Sequence, residues 1–195
     1  MAESGSLRGG LVAGAAAGDT GGRYDGATIA LHWATAAIVV LNWGMAQVEV
    51  FVPRGPARHT LWSVHIVLGT LLLLVLVARV LWRLGGGRAL PAADRGFVHV
   101  AAKATHYGLY LLLGAVVGLG LLNAAARGWD FGFVKLPAWA PEDRALARRI
   151  NGWHDLAANV LVALALVHAG AALLHHYAWH DGVLRRMLPG RNDLD

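Results

Sequence analysis

Apolar residues in this chain neither alternate nor keep to one stripe; they come in four long blocks. Stretches free of Asp, Glu, Lys and Arg run over 27–48, 60–78, 104–126 and 156–180. Each is about the 20 residues that an α-helix needs to cross the hydrocarbon core of a bilayer, so four transmembrane helices are expected. The breaks between them carry turn residues: Pro53, Arg54, Gly55 and Pro56 in the first, and Gly85, Gly86, Gly87 and Pro91 in the second. A longer link over 127–149 holds Gly128, Pro137, Pro141 and a charged patch. Short connections make sequential neighbours antiparallel, which predicts an all-α, four-helix transmembrane bundle over 23–189. Residues 1–22 are rich in Gly, Ala and Ser. Their one apolar run, Leu11 to Ala17, is too short and glycine-broken for a signal peptide, so they read as a disordered tail. Residues 190–195 form a second short tail.

Composition sharpens this picture. Of 195 residues 56% are hydrophobic and 15% charged, against about 25% charged in soluble domains. A net charge of +5 raises the question of nucleic acid. The Lys and Arg residues flank apolar blocks instead of forming one basic stripe, and this is the pattern of a membrane protein, not a nucleic-acid binder. Ten of the 17 lie on the side of the amino terminus and seven opposite, which favours cytoplasmic termini.

Cysteine is absent. That removes disulfides, thiolate metal sites, iron–sulfur clusters and covalent haem attachment. Histidine remains as the versatile ligand, and there are ten.

Ionisable residues at membrane depth are costly and are functional candidates by default. His32 lies just inside the first block and His65 just inside the second, while His154 and His168 bracket the fourth. Helix direction sorts them by depth: His65 and His154 share the outer level, His32 and His168 the inner. The 14 residues from His154 to His168 are two heptads on one face, with a rise of about 21 Å. Zinc wants about four protein ligands, whereas haem brings four nitrogens and needs only axial partners. Two opposed imidazoles at each of two depths therefore predict two non-covalent, bis-histidine b-type haems. Met45 is the one methionine within a block, which argues against methionine ligation. His106, level with His32 and His168, remains open as an inner ligand.

The sequence resembles the bacterial cytochrome b561 family of compact di-haem inner-membrane proteins. The resemblance rests on Arg23-Tyr24, Leu31-His32-Trp33, His65 to Gly69 with Arg79 and Arg83, and His106 with Tyr110. Its strongest part is Trp153-His154-Asp155 followed by His168, Ala171-Ala172, His175-His176-Tyr177 and Leu184 to Pro189. It covers about 23–189. It implies His32 and His168 as ligands of the inner haem iron and His65 and His154 of the outer, setting His106 aside. It also implies a multi-pass protein of the bacterial inner membrane. Asp155 stands where glutamate is common, and Ile66 where a polar residue often follows the ligand; both bear on tuning around the ligands.

Six-coordinate iron has no open position and passes electrons. The resemblance implies ubiquinone or another quinone as one partner and, for some members, superoxide as the other, a haem-dependent oxidoreductase reaction. Arg144, Arg148 and Arg149 precede His154, and Arg148 and Arg149 are candidates for steering a small anion. His175, two turns beyond His168, is a candidate contact for a quinone or a haem propionate. Gly114 and Gly118 form a GxxxG pattern that predicts close helix packing, and Gly69, one turn after His65, predicts clearance for a porphyrin edge. The eight tryptophans cluster near block ends, and most of them read as interfacial anchors. An alternative is a cytochrome b membrane-anchor subunit passing electrons between quinone and a partner dehydrogenase or hydrogenase; the sequence names no protein partner. A histidine-lined ion transporter is a third reading, and it predicts no haem spectrum.

Overall fold

The computed structural model describes residues 22–91, 96–131, 134–140 and 142–189. The tails expected at 1–22 and 190–195 lie, apart from Gly22, outside the described residues.

Four helices dominate: α1 (Gly26–Val48), α2 (Pro56–Gly85), α3 (Gly96–Arg127) and α4 (Arg144–Leu174). All four are long and apolar enough to cross a membrane. They run up and down, with α1 packed chiefly on α2 and α3 on α4. The described chain begins and finishes at the same end of the bundle, called here the near end; the α1–α2 and α3–α4 links lie at the far end.

Helix α2 overruns the block at 60–78 at both ends, and two helices start well ahead of theirs. Helix α3 starts at Gly96, ahead of the block at 104, and α4 starts at Arg144, ahead of the block at 156. A charge ends a hydrophobic run but not a backbone hydrogen-bond ladder. The true start of α4 is a cap, with the Asp143 carboxylate accepting from the Leu146 N–H at 2.8 Å. The α3–α4 link also contains a two-stranded hairpin, β1 (Trp129–Asp130) and β2 (Lys135–Leu136), with Trp129 opposite Leu136.

Large apolar side chains cover the outside: Leu111, Leu166 and Val40 are each more than 60% exposed, as expected where lipid is the solvent. The small interior joins Ile38 of α1, Leu72 and Leu76 of α2, Leu113 and Val117 of α3, and Leu161 of α4. Leu161 is seven residues from both His154 and His168, so this apolar layer separates a polar layer at each end.

The near end is closed by a latch around Asp25. Its carboxylate caps α1, accepting from the Thr28 N–H at 2.9 Å and the Thr28 hydroxyl at 2.7 Å. It also accepts from the Trp82 indole at 2.9 Å and the Arg88 N–H at 3.0 Å. Partial burial opposes ionisation of Asp25, but these four donors outweigh it and hold the carboxyl well below the usual carboxylate range. The carboxy-terminal turn, Leu184–Met187, folds back over this end. Tyr24 N–H donates to the Arg186 carbonyl at 3.1 Å, and the Trp33 indole to the Met187 carbonyl at 2.7 Å.

Candidate functional site

The bundle brings the expected histidines together in two pairs. At the far end, His65 of α2 faces His154 of α4 with ring centres 6.2 Å apart and planes at 75°. At the near end, His32 of α1 faces His168 of α4 with ring centres 6.3 Å apart and planes at 67°. Two metal–nitrogen bonds of about 2 Å each, with each ring centre about 1 Å behind its nitrogen, require about 6 Å between imidazole centres. Both pairs have this spacing. His106 of α3 lies 5.2 Å from His168, tighter than two imidazoles sharing one metal axis would take.

At the far end the imidazole orientation suits ligation. His154 Nδ1–H donates to the Val116 carbonyl at 2.9 Å. A carbonyl can only accept, so the proton is on Nδ1 and the Nε2 lone pair is left for a metal. Opposite it, His65 Nδ1 and Asn42 Oδ1 are buried without hydrogen-bond partners, and the Trp62 ring edges onto His65 at 5.1 Å. At the near end the Arg79 guanidinium lies 3.3 Å from His32 Nδ1 and over the Tyr110 ring at 5.1 Å.

A cavity of about 650 Å³ opens around His65 and His154, with walls from all four helices. Its volume and lining fit a porphyrin. Gly69 lies on the wall, where an added Cβ would meet only Asn42 Nδ2 at 3.8 Å. Gly120 is stricter: an added Cβ would come within 3.0 Å of His154 Cε1. Among the described residues no group of three or more His, Cys, Asp or Glu is placed to hold a metal ion. The histidines meet as His65 with His154 at the far end and as His32, His106 and His168 at the near end.

Other expectations fare differently. A Cβ added at Gly114 or Gly118 would meet nothing within 4 Å, so among the described residues the GxxxG spacing does not bring another helix of the bundle close. Trp43 and Trp129 line the far-end cavity, a role beyond interfacial anchoring. Arg148 and Arg149 are exposed on the outer part of α4 and do not line the cavity, whereas Arg127 does. His175 is buried and begins a π-helical turn, His175–Trp179, that widens the end of α4. Its Nδ1–H donates to the Asp181 carboxylate, and the Trp179 ring edges onto it at 4.3 Å. Partial burial works against ionisation of Asp181, but the His175 hydrogen bond and the Val183 N–H outweigh it and hold the carboxyl below its ordinary range.

Sequence reasoning missed Asn42, Gly120, Asn123 and Arg127. One signal was legible: Asn151, Asp155 and Asn159 recur every four residues, a polar line along one side of α4. Only the fold shows that this line faces the cavity.

Comparison with known proteins gives a consistent picture. The profile of the family described as prokaryotic cytochrome b561 matches residues 23–190. The chain is 34% identical over 179 residues to cytochrome b561 homolog 2 of Escherichia coli (strain K12), covering 89% of this chain and 94% of that protein. It is 29% identical over 176 residues to the probable superoxide oxidase CybB of Yersinia pestis, covering 86% and 96%. It is 31% identical over 180 residues to cytochrome b562 of Cereibacter sphaeroides, again covering 86% and 96%.

Proposed function

The chain belongs to the prokaryotic cytochrome b561 family of bacterial integral membrane b-type cytochromes, and from that premise we propose that it is a di-haem superoxide:quinone oxidoreductase. The observation that carries the two-haem reading is the pair of imidazole separations, 6.2 Å at the far end and 6.3 Å at the near end. His65 and His154 hold the far-end iron, and His32 and His168 the near-end iron. Bound haem supplies a one-electron carrier with no open coordination position. The near end faces the cytoplasm, in keeping with the excess of Lys and Arg there, so the far end faces the periplasm.

Superoxide as donor is favoured by the similarity to a probable superoxide oxidase and by the cationic far end. Arg148 and Arg149 stand exposed on α4 beyond the cavity, where they raise the local concentration of a small anion. Each superoxide gives up one electron and leaves as dioxygen. A quinone takes two electrons and two protons to become the quinol, so two superoxide anions are consumed per quinone. His175, held by Asp181 at the near end through Nδ1–H, contacts the quinone and accepts through Nε2 from the hydroxyl of the quinol that forms.

Purified protein tests this reading directly. A b-type spectrum with two haems per chain, reduced by superoxide and reoxidised when quinone is added, is the expected result. A single haem, or haems that superoxide leaves oxidised, would overturn it.

A further inference from the structure

One wall of the far-end cavity carries a one-way line of hydrogen bonds. Arg127 Nε–H donates to Asn123 Oδ1 at 3.0 Å. Asn123 Nδ2–H donates to Asn151 Oδ1 at 3.1 Å, and Asn151 Nδ2–H donates to Asp155 Oδ2 at 2.8 Å. The direction is forced by chemistry. A guanidinium only donates and a carboxylate only accepts, so each amide must turn its oxygen toward Arg127 and its nitrogen toward Asp155. The line joins the end of α3 to the first half of α4, and all four residues line the cavity that His65 and His154 share. Beside it, Asn159 Nδ2–H donates to the Asp155 main-chain carbonyl at 2.9 Å, and Asn159 Oδ1 accepts from the Trp43 indole at 3.1 Å.

A carboxylate and a guanidinium are thus held apart at set positions in one wall, with two oriented amide dipoles between them. Arg127 and Asp155 are themselves exposed, but charges held at fixed positions within a few ångströms of a centre still act on it, because screening by salt operates over about 10 Å. Adding an electron to a nearby centre adds negative charge, which the carboxylate opposes and the guanidinium favours. The axial ligands set the broad range of a haem potential, and surrounding groups adjust it within that range.

We infer that Arg127, Asn123, Asn151 and Asp155 form a polarised relay that sets the reduction potential of the far-end redox centre, Asp155 lowering it and Arg127 raising it. The inference rests on the reading that His65 and His154 hold a haem there. None of the four is a ligand; Asn123 and Asn151 are positioning residues that keep the two charges where they act.

Spectroelectrochemical titration of the purified holoprotein is the test, with the far-end component identified as the one missing from His154→Ala. Asp155→Asn keeps the side-chain shape and removes the charge, and the far-end potential rises while the near-end potential holds. Arg127→Gln moves the far-end potential downward. With Asn151→Leu in place, Arg127→Gln moves it less than it does in the parent. Opposite signs are diagnostic, because a general loosening of the cavity would shift both variants the same way. Unchanged potentials, or shifts of one sign, overturn the relay. Should Asp155→Asn lose the far-end haem, Arg127→Gln decides alone: a fall supports the relay and no change overturns it. A His154→Ala protein that keeps both haems would instead sink the ligand reading, whatever the shifts.

Discussion

His154 is oriented by the backbone of a neighbouring helix: its Nδ1–H donates to the Val116 carbonyl at 2.9 Å. A main-chain acceptor cannot rotate away, so α3 fixes both the tautomer and the direction of a ring carried by α4. Gly120, one turn further along α3, would press a Cβ to within 3.0 Å of His154 Cε1. Gly120→Val is therefore expected to displace this ring and cost the far-end haem. A Cβ added at Gly114 would meet nothing within 4 Å, and Gly114→Val carries the same helix-propensity cost. Haem quantified per chain distinguishes them: one haem lost in the first variant, both kept in the second.

Removing ligands should empty the ends separately. His65→Ala and His154→Ala lose the far-end haem, and His32→Ala and His168→Ala lose the near-end haem. His106→Ala keeps both, because its ring centre lies 5.2 Å from that of His168, short of the span for a shared axis. Absorption spectra with haem content check all five variants, and loss of a haem from His106→Ala would reassign the near-end pair.

The Asp25 latch predicts a stability loss with a defined pH dependence. Asp25→Ala removes a helix cap, worth about 1 kcal/mol, and leaves the Trp82 and Arg88 donors without their acceptor. Because the folded-state pKa of Asp25 is depressed from its ordinary 3.8, its stabilisation is fully present above that value. It is lost as pH falls through the folded-state pKa. Thermal unfolding in detergent should show the gap between parent and Asp25→Asn constant near neutrality and shrinking below about pH 4.

Steering by Arg148 and Arg149 shows in ionic strength. Exposed charges are screened over about 10 Å at 0.1 M salt, so the superoxide-driven rate of haem reduction in the parent falls as salt rises. Replacing both arginines by Gln lowers the rate at low salt and flattens the dependence. An unchanged salt slope would remove the steering role.

Quinone contact at His175 predicts a kinetic split. His175→Ala slows electron delivery to quinone while haem content and superoxide-driven reduction stay at parent values. Asp181→Asn acts in the same direction and more weakly, since the amide still holds the imidazole through a hydrogen bond. Stopped-flow measurement of quinone-dependent reoxidation reads both, and a parent-like rate in His175→Ala places the quinone elsewhere.

The four apolar blocks determined four spans by themselves, because lipid leaves a helix no choice but to satisfy its own backbone. The two-heptad spacing of His154 and His168 likewise put both on one face of α4 from the chain alone. The sequence also bounded the cofactor, since a chain without cysteine and with one methionine at membrane depth has few axial donors other than histidine. Helix ends were less legible: Arg144, Arg148 and Arg149 break an apolar run, yet α4 continues through them from its Asp143 cap. Tertiary structure alone decided which neighbours each histidine meets. It placed the ring centres of His32 and His106 at 6.3 and 5.2 Å from that of His168. It tied His154 to a carbonyl on another helix and set Arg127, not Arg148 or Arg149, into the cavity wall. Periodicity reports which face of a helix a residue occupies, but the rotation and depth of one helix against another come from packing among side chains far apart in the chain. That is why the far-end polar line from Arg127 to Asp155 could be read only from the folded bundle.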